Sequence, residues 1–233
     1  MPAIRTAHRL LLVLAGCGAF GVVLLPVVHE LSERLFSVHM IEHELLMAIA
    51  APLIVLGRPL WVLLSALPQP ARRRVARWAA AAPIRRAWLF ATGPVLAWSV
   101  HTLALWIWHV PLLFEAALRD EIEHALQHLS FLGAALLYWS SLIANRHDGV
   151  GYGTAVLSSF ATAMQCGLLG ALLTLASVPW YPDYPAIEDQ QLAGLVMWVP
   201  VGIVYTGAGI AFLVAWLRES ERRTRRWEKA ALR

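Results

Sequence analysis

The stretch HMIEHELLMAIAAPLIVLGRPLWVLL, residues 39–64, decides the fold class. Two histidines and two glutamates crowd its opening, and over residues 45–57 no ionisable side chain interrupts it. A helix rising about 1.5 Å per residue needs roughly 20 apolar residues to cross a hydrocarbon core about 30 Å thick, and this block has that length. Blocks of the same kind occupy residues 10–28, 87–109, 122–144, 154–178 and 191–217. Apolar residues make up 59% of the chain and charged ones 15%, well below the roughly one quarter that soluble domains carry. The short alternating segments of a membrane barrel do not occur. The expected fold is all-α: a polytopic transmembrane helical bundle of about six spans, forming one membrane domain over residues 1–233. Arg58, between Gly57 and Pro59, either ends the second span or lies buried against a partner helix.

Basic residues near spans are retained on the cytoplasmic side of a membrane, and here they divide sharply. Arg5, Arg9, Arg58, Arg72, Arg73, Arg74, Arg77, Arg85, Arg86, Arg146, Arg218, Arg222, Arg223, Arg225, Arg226, Lys229 and Arg233 fall in one set of connecting segments. Only Arg34 and Arg119 fall in the other. The alternation predicts six spans with both termini cytoplasmic. The opposite side is acidic, with Glu30, Glu33, Glu115, Asp120, Glu121, Glu123, Asp183, Glu188 and Asp189. The net charge of +4 thus describes two opposed faces, not a nucleic-acid binder, and the basic tail is expected against anionic lipid headgroups.

Leu14-Ala15-Gly16-Cys17 also reads as a lipoprotein cleavage site. The apolar run continues to Val28, however, long enough to cross without processing, so the first helix is expected to be retained. Cys166 lies deep in the fifth span and no Cys-x-x-Cys occurs, so neither a disulfide framework nor a thiolate relay is indicated. The segment Pro179-Trp180-Tyr181-Pro182-Asp183-Tyr184-Pro185 is too rich in proline for a helix. It predicts a stiff cap over the outer ends of the last two spans.

The histidines carry the chemistry. His39 and His43 stand four apart at the outer start of the second span, and His124 and His128 repeat the arrangement at the start of the fourth. This spacing puts both rings of a pair on one helical face. Counting inward at about 1.5 Å per residue, His43, His101 and His128 fall in one layer, and His109 marks the outer end of the third span. Three helices are therefore expected to direct imidazoles at one point. Ionisable groups within a membrane are costly and usually face a bundle interior or cavity, so two such pairs at one level read as a metal site of His39, His43, His101, His124 and His128. His8, His29 and His147 read instead as headgroup or carbonyl partners. Imidazole suits copper, zinc and iron, and thioether suits Cu(I). Met40, His43 and Met47 form a helical stripe, so Met40 and Met47 are possible accessory ligands, with Met164 and Met197 on later spans. His109 is a further accessory candidate. Glu42, Glu44 and Glu123 either orient ring N–H groups or are solvated helix starts. Asp189 either caps the last span or acts near the metal.

The run from His39-Met40-Ile41-Glu42-His43 through Pro52 to Gly57-Arg58-Pro59 resembles the signature of the multi-span CtaG family of cytochrome c oxidase assembly factors, not the single-span copper chaperone of the same name. Trp108-His109-Val110-Pro111, His124-Ala125-Leu126-Gln127-His128 leading to Trp139, Tyr181-Pro182, and Asp189-Gln190-Gln191 followed by Gly194 and Trp198 fit it in order. The resemblance implies a role in maturing haem-copper oxidases, with copper handled on the outer side of a bacterial cytoplasmic (inner) membrane and an oxidase subunit as partner. It carries over His39, His43, His124 and His128. Glu42 stands where a Gln is more usual and Gln127 where an acidic residue is, so neither is assigned as a ligand.

The leading expectation is a non-enzymatic assembly factor that holds copper between facing helices and passes it on. A zinc hydrolase, with three histidines on the metal and Asp189 or a glutamate as base, is the alternative; no His-Glu-x-x-His is present to favour it. A bis-histidine haem cytochrome is the third.

Overall fold

The computed structural model describes residues 2–143 and 151–231; Ala144, Arg146, His147 and Arg233 lie outside them. Its helices follow in order as α1 (Pro2–Val23), α2 (Pro26–Ser32), α3 (Phe36–Glu44), a π-helical turn (Leu45–Ala50), α4 (Ala51–Gly57), α5 (Pro59–Ala66), α6 (Gln69–Ala79), α7 (Ala82–Ala91), α8 (Pro94–Trp108), α9 (Pro111–Arg119), α10 (Glu121–Ile143), α11 (Tyr152–Thr174) and α12 (Ile187–Ala231). No strand occurs among the described residues. Prolines set many of the boundaries. Pro26, Pro59, Pro70, Pro83, Pro94 and Pro111 each stand in the first two positions of a helix, where a missing N–H costs nothing and a fixed φ favours the turn.

Five helices are long and apolar enough to cross a membrane: Thr6–Val23, Phe36–Gly57, Glu121–Ile143, Tyr152–Thr174 and Ile187–Ala230. The pair α7 and α8, bent by 59° at Gly93-Pro94, makes a sixth when counted as one span. The protein is an all-helical, multi-pass membrane protein. Several expected boundaries move. The first span stops at Val23 rather than Val28, because Pro26 begins a separate short helix. The second stops at Gly57, not Leu64: Arg58 is exposed and adopts the left-handed conformation (φ 53°) that closes many helices, and the proline after it keeps it out of the right-handed α region. Arg58 is thus a helix terminus, not a buried cation. Its end of the bundle also holds Arg9, whose guanidinium lies 4.5 Å from the centre of the Trp61 ring. The last span extends through the basic tail as one helix of 45 residues. Cys17 lies exposed within the unbroken α1.

The second span is not a uniform α-helix. Pro52 has no N–H for the carbonyl one turn earlier and its ring crowds that carbonyl; the chain widens into a π turn just before it. The Met47 carbonyl is met by the indole N–H of Trp139 on α10, which donates to it at 2.9 Å. Trp139 thereby fixes α10 against the middle of this span.

Lipid tails are as apolar as leucine, so helices in a bilayer associate by close fit. Helices α11 and α12 approach so tightly that a Cβ on Gly170 would lie 2.6 Å from the Gly194 carbonyl oxygen, and one on Gly194 2.5 Å from that of Gly170. The core of Phe36, Met40, Leu105, Phe131, Tyr138 and Tyr205 joins α3, α8, α10 and α12, while Leu103, Leu129, Phe160 and Ile203 face outward. Gly194→Val is expected to lower the stability of the detergent-purified protein by about 1–3 kcal/mol, read as a drop in thermal midpoint. Gly202→Val, with nothing within 4 Å of its added Cβ, should change it by less than about 0.5 kcal/mol.

Candidate metal centre

Four imidazoles meet where the starts of α3 and α10 face each other. Within α3 the rings of His39 and His43 lie 4.5 Å apart, and within α10 those of His124 and His128 lie 4.3 Å apart, as the four-residue spacing predicts. Between helices, His39 stacks on His124 at 5.3 Å, lies 6.1 Å from His128, and His43 lies 5.3 Å from His128. One ring nitrogen from each of His39, His124 and His128 falls within 4.8 Å of the others. The Nε2 atoms of these three and both ring nitrogens of His43 are buried without a hydrogen-bond partner. His39 and His43 are buried, whereas His124 and His128 are partly exposed. The set has a closed inner side and an open edge.

What holds α3 in place is the sequence Asp189-Gln190-Gln191 at the head of α12. The Asp189 carboxylate accepts the backbone N–H of Phe36 at 2.6 Å and of Ser37 at 3.3 Å, together with the Ser37 hydroxyl. It is an N-cap, but for α3 rather than for its own helix. Gln190 accepts the Trp180 N–H at 2.6 Å and donates to the Leu173 carbonyl at 3.4 Å. Gln191 donates to the Ala176 carbonyl at 3.4 Å. Three consecutive residues thus tie the histidine-bearing helix, the proline-rich segment and the end of α11 to one helix start.

The proline-rich segment reaches further than a cap on the last two spans. Tyr181 donates to the His109 carbonyl at 2.9 Å and Tyr184 donates to the Ser32 carbonyl, so the segment crosses to α8 and α2. Both phenols are buried, which pushes their ionisation above the ordinary tyrosine range; Glu42 and Asp189 near Tyr184 push the same way. Phe114 packs 5.0 Å from His39 and Phe131 4.5 Å from His43, so aromatic rings wall the imidazoles.

His101 does not join this group. Its Nε2 lies 3.2 Å from the Tyr205 hydroxyl on α12, and its ring packs 4.7 Å from that of Tyr138. Counting depth along a helix fixes height but not direction, and the eight residues from His101 to His109 are two turns plus about 80°. His109 does come close: its ring lies 6.1 Å from that of His43, its Nδ1 is 2.7 Å from the Leu105 carbonyl, and its Nε2 faces Met40 Sδ at 3.5 Å. Met47 and Met197 are buried in the core, and Met164 is exposed. Glu123 is exposed on the first turn of α10, where the Asp120 carboxylate accepts its N–H, as a solvated helix start would be. Glu42 is fully buried, and neither of its carboxylate oxygens meets a hydrogen-bond donor; the same holds for the amide of Gln127. His29, read from the sequence as a headgroup partner, stacks on His124 at 5.2 Å and extends the cluster to its exposed edge. Its place among Glu30 and Glu33 on the acidic side was the available signal.

The donor set suits a transition metal. An ion bonded to three imidazoles at about 2.0 Å holds its nitrogens about 3.3 Å apart, so the rings, whose nitrogens lie within 4.8 Å of one another here, would close around it. All-imidazole ligation admits copper and zinc alike.

The sequence profile of the family described as cytochrome c oxidase caa3 assembly factor (Caa3_CtaG) matches residues 3–219. Among curated proteins, uncharacterized proteins of Mycobacterium bovis and Mycobacterium tuberculosis are each 26% identical over 96% of this chain, and one of Mycobacterium leprae is 26% identical over 92%. The chain spans only 36% of the length of the first two and 35% of the third. No solved structure matches.

Asp189→Ala is expected to cost about 0.5–2 kcal/mol of stability through loss of the cap. Hydrogen exchange at the Phe36 and Ser37 amides should rise in this variant and return toward wild type in Asp189→Asn, which keeps an acceptor.

Proposed function

We propose that this chain, which belongs to the Caa3_CtaG family of cytochrome c oxidase caa3 assembly factors, serves oxidase maturation by holding copper as cargo at His39, His124 and His128 and handing it to an oxidase subunit. The observation that carries this reading is the convergence of one ring nitrogen from each of three histidines whose Nε2 atoms are all buried without a hydrogen-bond partner, on two helices that the rest of the fold clamps. Burying polar atoms unpaired costs roughly 1–3 kcal/mol each, and binding an ion recovers it. Ligation by neutral imidazoles, without thiolates, is weaker and more exchangeable than a thiolate trap. The partly exposed rings of His124 and His128 give the ion a way in and out. The acidic residues Glu30 and Glu33 at the end of α2 and Glu121 and Glu123 at the start of α10 would draw cations to that edge from the outer side of a bacterial cytoplasmic membrane.

Transfer fits better than turnover. Asp189, one of the two kinds of base a hydrolase reading offers, is spent on the amides of α3, and Glu42 is shut inside the bundle, away from the open edge where a substrate would enter. A haem would need an open slot between axial rings, and here the imidazoles are 4.3 to 6.1 Å apart, packed against one another.

Metal content by mass spectrometry on detergent-purified protein tests this, with an absorption spectrum alongside. Copper loading should give bound copper in wild type and a loss of at least one equivalent in the His39→Ala, His124→Ala, His128→Ala triple variant, with loss of oxidase activity in cells. Zinc alone would move the assignment to the hydrolase and a Soret band to the cytochrome. No metal in any sample would overturn the copper reading.

A further inference from the structure

The contact between His109 and Met40 is chemically unresolved by protein atoms alone. His109 Nδ1 lies 2.7 Å from the Leu105 carbonyl oxygen, which can only accept, so Nδ1 carries the proton. In the neutral ring Nε2 is then a bare lone pair. It faces Met40 Sδ at 3.5 Å, and a thioether has no proton to offer. Two lone pairs are thus turned toward each other inside the bundle, where His109 is 3% exposed and Met40 is fully buried. A cation between them is the arrangement that satisfies both. An ion about 2.0 Å from nitrogen and about 2.3 Å from sulfur spans such a gap at an angle of about 110°, close to tetrahedral. His43 stands beside the pair, three residues from Met40 on the same helix, 2% exposed, with both ring nitrogens unpartnered.

We propose that Met40, His109 and His43 form a second station for a soft monovalent cation, Cu(I), separate from the three-imidazole station of His39, His124 and His128. This rests on the copper reading above and deepens it. Thioether sulfur selects Cu(I) over zinc and Cu(II), so the buried station is selective where the exposed one is not. His43 lies 5.3 Å from His128 and 6.1 Å from His109, ring to ring, and so stands between the two sets. A Cu(I) ion passes inward by gaining His43 as it releases His124, then gaining His109 and the Met40 thioether as it releases His128 and His39, so that His43 stays bound throughout the second half of the transfer. The ion keeps its charge and oxidation state throughout; only nitrogen–copper bonds are broken and nitrogen– or sulfur–copper bonds formed. The open station collects the ion, and the buried one sorts and shelters it.

The test uses the full-length detergent-purified protein, loaded with Cu(I) under anaerobic conditions or with Zn(II), in wild type, Met40→Leu and Met40→Cys. Leucine is close to methionine in volume and takes the thioether away, and a thermal melt checks the fold of each variant. Wild type should take up two equivalents of Cu(I), with a sulfur shell in the X-ray absorption spectrum, and one of Zn(II). Met40→Leu should fall to one equivalent of Cu(I), lose the sulfur shell and keep its Zn(II). Met40→Cys should regain both the equivalent and the shell. Unchanged Cu(I) stoichiometry and sulfur signal in Met40→Leu would overturn the second station. If the His39, His124, His128 triple variant still loses copper in that case, the copper reading stands without it. If wild type binds no copper at all, both fall together.

Discussion

An unpaired amide in hydrocarbon has no water to turn to, so the first N–H groups of a helix that starts within the bundle must be met by protein. At the head of α3 they are met by one carboxylate, that of Asp189, reaching from a helix more than 150 residues away in sequence. The consequence is positional. Capping fixes where α3 begins, and His39 and His43 follow three and seven residues later, so their height is set against α12 rather than by loop length. Helix α12 is in turn fixed against α11 by the Gly170 and Gly194 approach, and Gln190 and Gln191 bind the intervening segment to the same point.

Much of this was legible in the sequence. The apolar blocks gave the helical membrane class, and the four-residue histidine spacing gave two ring pairs whose helices do face each other. Asp189-Gln190-Gln191 read as a helix start, which it is, yet no local rule could say that its carboxylate caps a different helix. That pairing depends on the tertiary path. His101 shows the converse limit. Depth along a span is an arithmetic quantity, but the direction of a side chain turns by about 100° per residue and changes further where a proline ends or widens a helix. The π turn before Pro52 and the break at Gly93-Pro94 are such places. His29 lies outside the apolar blocks, where no periodicity gives direction; its place beside Glu30 and Glu33 told its side of the bundle, and only the tertiary path brings its ring to His124.

The site departs from what stability alone would select. His39, His43, Glu42 and Gln127 all carry buried polar atoms with no hydrogen-bond partner, a concentration that would be costly if it served packing. The surrounding groups behave oppositely. Tyr181, Tyr184, Trp139, Asp189 and Gln190 are each committed to a backbone partner. At this end of the bundle the groups that hold the helices are satisfied and those between the helices are not, as expected of a preorganised binding site.

Helix α12 runs unbroken through 45 residues, from the clamp at Asp189 to the arginines of the tail. At about 1.5 Å per residue that is roughly 68 Å, about twice the hydrocarbon thickness. Only its apolar stretch, residues 191–217, has to match the bilayer; the charged tail carries the same helix past it. Because its opposite end holds the start of α3, a single rod joins the clamp on the histidine-bearing helix to the basic tail.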